Sequence, residues 1–113
     1  MKSVIDVFEH IHTMKKKVTK LYLNLIGLET IHINNARKNQ TFENQTRSNN
    51  LHVIKEEFEL FIKHVNNEHL TITHYITSKN NILSDDDIDS MLALLESLQL
   101  EYDNIKQKIL IQA

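Results

Sequence analysis

Residues 4–28 read VIDVFEHIHTMKKKVTKLYLNLIGL and contain the apolar pattern that decides the fold. Alternate steps of three and four residues along this stretch reach an apolar side chain every time, at Val4, Val7, Ile11, Met14, Val18, Leu21, Leu25 and Leu28. A mean spacing of about 3.5 residues places these side chains in one stripe along a helix, as in the seam of a coiled coil. The stretch therefore predicts a long amphipathic helix.

The same pattern occurs twice more along the chain. From Leu51 it reaches Ile54, Phe58, Phe61, Val65, Ile72 and Tyr75, with Glu68 as the one polar position, and from Ile88 it reaches Met91, Leu95, Leu98, Tyr102, Ile105 and Ile109. Ser84 precedes the third pattern and Asp87 follows three residues later, a spacing typical of a capping box at a helix start. We expect helices over 3–33, 50–78 and 85–111.

Composition favours the same fold class. The chain has 113 residues with one glycine and no proline, which leaves few of the residues that tight turns between strands require. The absence of cysteine excludes disulfides, thiolate nucleophiles and thiolate-bound metals. We predict a single all-α domain over 1–113, an antiparallel bundle of three long heptad-patterned helices.

The segment 34–50 differs from the rest of the sequence. Six of its 17 residues are asparagine, and Ala36 and Phe42 are its apolar side chains. Burial of so little apolar surface does not offset the entropy lost on ordering the chain. We therefore expect a polar connecting segment over 34–50, with at most a short fourth helical turn within 35–48.

We expect the seven histidines to be surface residues or to flank the helix seams, and not to bind a metal. His64, His69 and His74 are five residues apart, so each is turned by about 140° from the one before on a helix and the three cannot share a face. No Gly-x-Ser-x-Gly elbow for a serine nucleophile is present. We expect neither a metal nor another cofactor.

One short motif suggests an enzymatic alternative. Arg47 and His52 have the Arg-x-x-x-x-His spacing and thereby resemble the HEPN family of compact helical domains. The resemblance implies a metal-independent ribonuclease, in which His52 would move a proton and Arg47 would stabilise the phosphate transition state. It covers six residues and the fold class.

Three apolar residues of the second helix do not belong to its seam. Val53, Leu60 and Leu70 are predicted to point away from the core, where a simple bundle has polar residues. The Asn-rich segment could cover them, they could be scattered surface residues, or another protein or a second copy could bind there. The favoured function is a non-enzymatic bundle that acts through protein–protein interaction, such as an adaptor, chaperone or inhibitor.

Charge and hydropathy indicate where in the cell the protein acts and which classes of partner it can bind. No apolar run approaches the roughly 20 residues needed to cross a bilayer, and the acidic Asp6 and Glu9 interrupt the start, so we expect a cytoplasmic protein without membrane contact. A net charge of −2 does not favour nucleic acid outside the ribonuclease alternative. Residues 1–34 carry five lysines against three acids and residues 81–113 carry two against seven, which predicts attraction between the first and last helices.

Overall fold

Three helices account for nearly all of residues 3–112, which a computed structural model of the chain describes. Helix α1 spans Val4–Lys38, α2 spans Phe42–Ser78 and α3 spans Asp85–Gln112, and each contacts the other two. The connections are short, so α1 and α2 are antiparallel, as are α2 and α3. The prediction of an all-α three-helix bundle is confirmed.

The three predicted seams form the core. Nearly all seam residues are buried. Val4 and Leu28, at the two ends of the α1 seam, and Glu68 of α2 are half-buried, and Tyr75 is exposed. The side chain of Tyr75 lies at the edge of the core, and Ile76 is buried in its place. From Ile72 the regular alternation predicts a step of three residues, to Tyr75. The next buried side chain instead lies four residues on, at Ile76.

The prediction of a connecting segment without regular helix over 34–50 is wrong. Helix α1 continues through residues 34–38, α2 already includes 42–50, and no separate fourth helical turn occurs in the described residues. The Thr41 hydroxyl caps α2 by accepting a hydrogen bond from the Asn44 backbone N–H at 3.1 Å, and the Asn44 side chain donates to the Asn39 carbonyl at 2.9 Å. Asparagine and threonine side chains thus satisfy backbone groups at the ends of the two helices.

The connection between α2 and α3 matches its prediction. Asn80 and Asn81 have positive φ angles of 54° and 64°, a conformation that asparagine tolerates better than most residues. The Ser84 hydroxyl accepts a hydrogen bond from the Asp87 backbone N–H at 3.2 Å, and the Asp87 carboxylate accepts one from the Ser84 backbone N–H at 3.4 Å. The predicted capping box is therefore present at the start of α3.

Tyr75 ties the end of α2 to this capping box. Its hydroxyl donates a hydrogen bond to Asp87 at 2.9 Å. This bond, with those from Ser84, holds the pKa of the Asp87 carboxyl below its ordinary value. The same bond, with a smaller effect of burial, raises the pKa of the Tyr75 hydroxyl.

Candidate functional site

A groove between α2 and α3 carries two of the three predicted interface residues. Leu60 lies on the wall of its wider part, which has a volume of about 480 Å³, and Val53 lines the adjoining part near the end of α3. The side chains of Val53 and Leu60 are 62 % and 66 % exposed, and Ile111 of α3, which lines both parts, is 70 % exposed. We call Val53, Leu60 and Ile111 the apolar rim.

Leu70 does not belong to the apolar rim. It is ten residues after Leu60, which turns its side chain by about 80° around α2. Its side chain is also exposed, at 59 %, but it does not line the α2–α3 groove. The sequence pattern treats Val53, Leu60 and Leu70 as one group, whereas the structure separates Leu70 from the other two.

Two acidic residues beside the apolar rim have side-chain partners within the chain. Lys108 of α3 donates to both carboxylate oxygens of Glu57, at 2.8 and 3.0 Å. Glu56 pairs with His52 one turn earlier on α2, with 3.1 Å between Oε1 and Nε2. Glu56 and Glu57, which lie between Val53 and Leu60, therefore already have partners within the chain.

His64 lies at the other end of the groove between two carboxylates. Its Nδ1 is 3.2 Å from Glu101 Oε2 on α3, and its Nε2 is 3.6 Å from Glu68 Oε1 on α2. His69 is half-buried instead, and burial, with a smaller effect of Lys15, lowers its pKa. Within residues 3–112, no group of three or more histidine or carboxylate side chains is arranged to hold a metal ion.

Arg47 and His52, the pair of the ribonuclease alternative, both lie within α2 and are exposed. Five residues of helix turn the two side chains about 140° apart, so they do not converge within one chain. The imidazole of His52 contacts Glu56 instead. In this structure, therefore, one copy does not bring the arginine and the histidine to a shared phosphate.

The core contains two polar residues that the apolar pattern does not predict. Glu29 and His32 of α1 are each only 9 % exposed, although the apolar pattern ends before them. Lys55 Nζ is 3.5 Å from Glu29 Oε1, whereas Glu29 Oε2 is buried with no hydrogen-bond partner. The spacing Glu-x-x-His at 29–32 is a signal that could have identified this pair, since it is a spacing used by metal-binding bundles. Two such side chains do not complete a metal site.

No helix within the described residues is long and apolar enough to cross a membrane. The comparisons with known proteins add no relative from which a role could be transferred. No family model, curated protein or solved structure matches the chain.

Proposed function

We propose that this protein is a non-enzymatic, cytoplasmic helical bundle that acts through protein–protein association, with a second copy covering the apolar rim. The observation that carries the proposal is the exposure of Val53, Leu60 and Ile111 around one groove. Large aliphatic side chains grouped on a surface favour association, because covering them removes apolar area from water at about 25 cal/mol per Å².

A second copy suits this surface for two reasons. A two-fold contact needs only one patch, and it closes after two copies instead of propagating. The pairing of Glu57 with Lys108 and of Glu56 with His52 also matters. It means that Glu56 and Glu57 meet the second copy with partners of their own chain already in place.

The length of the groove fits a helix-to-helix contact. It extends along α2 from Asn50 to His64, which are 14 residues or about 21 Å apart. Helices packed side by side over about four turns are a common mode of association between bundles.

Sedimentation velocity of the full chain over a concentration series tests the proposal. We expect the native chain to form a dimer and the V53E/L60E variant to sediment as a monomer with unchanged helix content. The matched control is I5E/L23E, which places two glutamates at equally exposed aliphatic positions of α1 and should remain dimeric. A monomeric native chain, or a V53E/L60E variant that still dimerises, contradicts the proposal.

A further inference from the structure

A second groove, between α1 and α3, is lined by lysines from both helices. Its volume is about 350 Å³, and Lys17, Lys20 and Lys106 lie along its walls. Lys17 and Lys20 are three residues apart and are therefore neighbours on one side of α1. Lys106 belongs to α3, on the opposite wall. Three lysine side chains thus line one groove, which we call the lysine groove.

The cations of the lysine groove are not neutralised by the fold. None of the three lysines forms an ion pair with a carboxylate among residues 3–112, where the cross-helix pairs join α1 to α2 and α2 to α3. Asp103 also lines the groove, but its carboxylate accepts a hydrogen bond from the Gln99 amide at 3.0 Å. The predicted attraction between basic α1 and acidic α3 therefore leaves these lysines without ion pairs.

Neutral hydrogen-bond donors complete the lining. The Asn24 amide lies on the α1 wall and Tyr102 on the α3 wall. Burial, with a smaller effect of Asp103, raises the pKa of the Tyr102 hydroxyl, so this group stays protonated at neutral pH. The groove thus combines three cations with neutral donors against a single carboxylate, in a chain whose net charge is −2.

We propose that the lysine groove binds a polyphosphate anion, meaning a short chain of linked phosphate groups. Lysine ammonium groups bind phosphate oxygens as point charges without demanding a fixed geometry. Lysines on two helices can contact successive phosphates, whereas a single carboxylate would engage only part of the groove. The Tyr102 ring is buried in the core, so the groove provides no exposed aromatic platform on which a nucleic-acid base would stack. A free polyphosphate therefore fits the groove better than a nucleic acid does.

Isothermal titration calorimetry of the full chain with inorganic triphosphate tests this proposal. We expect binding to the native chain and about tenfold weaker binding to the K17Q/K20Q variant, because two surface charge pairs are lost. K38Q/K63Q is the matched control, with the same change in net charge at exposed lysines outside the groove, and should bind like the native chain. No binding to the native chain, or an equal loss in K38Q/K63Q, overturns the proposal.

Two further arms separate the site from misfolding and from other phosphate sources. Asp103→Asn removes the carboxylate of the groove and should tighten triphosphate binding, a gain that a folding defect cannot produce; weaker binding would contradict the assigned site. A single-stranded oligoribonucleotide with the same number of phosphates should bind more weakly than triphosphate. Tighter binding of the oligonucleotide would overturn a free polyphosphate as the ligand. V53E/L60E should bind triphosphate like the native chain, so this test does not depend on association through the apolar rim.

Discussion

Replacement of Phe58 by alanine tests the packing at the middle of the bundle. The Phe58 side chain is 0 % exposed, its ring centroid is 5.5 Å from that of Tyr22 on α1, and the Phe61 ring meets it edge-on at 6.2 Å. Removing a fully buried aromatic side chain costs about 3–5 kcal/mol, since transfer energy is lost and a cavity remains. The Tyr22 contact belongs to this cost, because paired rings add about 0.5–1.5 kcal/mol beyond buried area.

Urea denaturation followed by circular dichroism measures this loss. A small domain has a total stability of about 5–15 kcal/mol, so Phe58→Ala should shift the transition far toward low urea. Phe58→Leu keeps most of the volume and should lose less than the alanine variant, which preserves a measurable transition if alanine unfolds the chain. Phe42→Ala is the control, because that side chain is 85 % exposed and its loss should change stability by less than about 0.5 kcal/mol. A loss below about 1 kcal/mol for Phe58→Ala would refute the assigned core.

The remaining predictions concern the helix cap, the buried acid and helix content. Ser84→Ala should lower the free energy of unfolding by about 1 kcal/mol in urea denaturation, whereas Ser97→Ala, at an exposed mid-helix position, should change it little. Because the folded state holds the pKa of Asp87 below its ordinary value near 3.9, the stability from Asp87 is present above that value and is lost as the pH falls through the folded pKa. Asp87→Asn should therefore flatten the acid dependence of the melting temperature, and Asp86→Asn should flatten it less. Glu29→Leu should keep or raise the melting temperature, because it removes the unpartnered carboxylate oxygen and leaves Lys55 partly exposed; a fall of several degrees would mean that the carboxylate stabilises the fold. Circular dichroism should give a helix content close to the 91 % found among residues 3–112, and a value of about three quarters would restore the connecting segment predicted over 34–50.

The core could be predicted because apolar spacing and helix geometry determine it together. Only one face of each helix can meet the other two helices, so an apolar side chain at alternate steps of three and four residues identifies that face. The spacing alone does not predict that Ile76 is buried in place of Tyr75. Both residues are apolar enough for the core, and the choice depends on how the end of α2 meets Asp87 at the start of α3.

The structure of 34–50 could not be predicted by counting apolar residues. Helix in this segment is accompanied by the Thr41 cap and by the hydrogen bond from Asn44 to Asn39, and neither contact is visible in a composition. The same applies to Glu29 and His32, which are polar but buried because α1 continues past the apolar seam. The apolar pattern therefore predicts too short a length for α1 and α2, because their ends are rich in polar side chains.

The candidate site was predicted in part. The exposure of Val53, Leu60 and Leu70 follows from their positions opposite the seam. The sequence does not predict that Leu70 lies apart from Val53 and Leu60, or that Ile111 of α3 joins them. Both facts depend on the register between α2 and α3, in which Glu57 lies beside Lys108. The lysine groove likewise requires Lys106 to meet residues 86 or more positions earlier in the chain, an arrangement that only the tertiary structure provides.

Distance measurement between spin labels tests the central claim, that a second copy covers the apolar rim, most directly. The chain has no cysteine, so Gln107→Cys gives a unique attachment point on the wall of the α2–α3 groove. We predict a distance between copies of about 20 Å, close to two helix-to-helix spacings, that disappears on dilution with unlabelled chain. Asn24→Cys places the control label in the lysine groove, where the distance between copies should be longer. No distance between copies at Gln107→Cys, or a shorter distance at Asn24→Cys, would contradict association through the apolar rim.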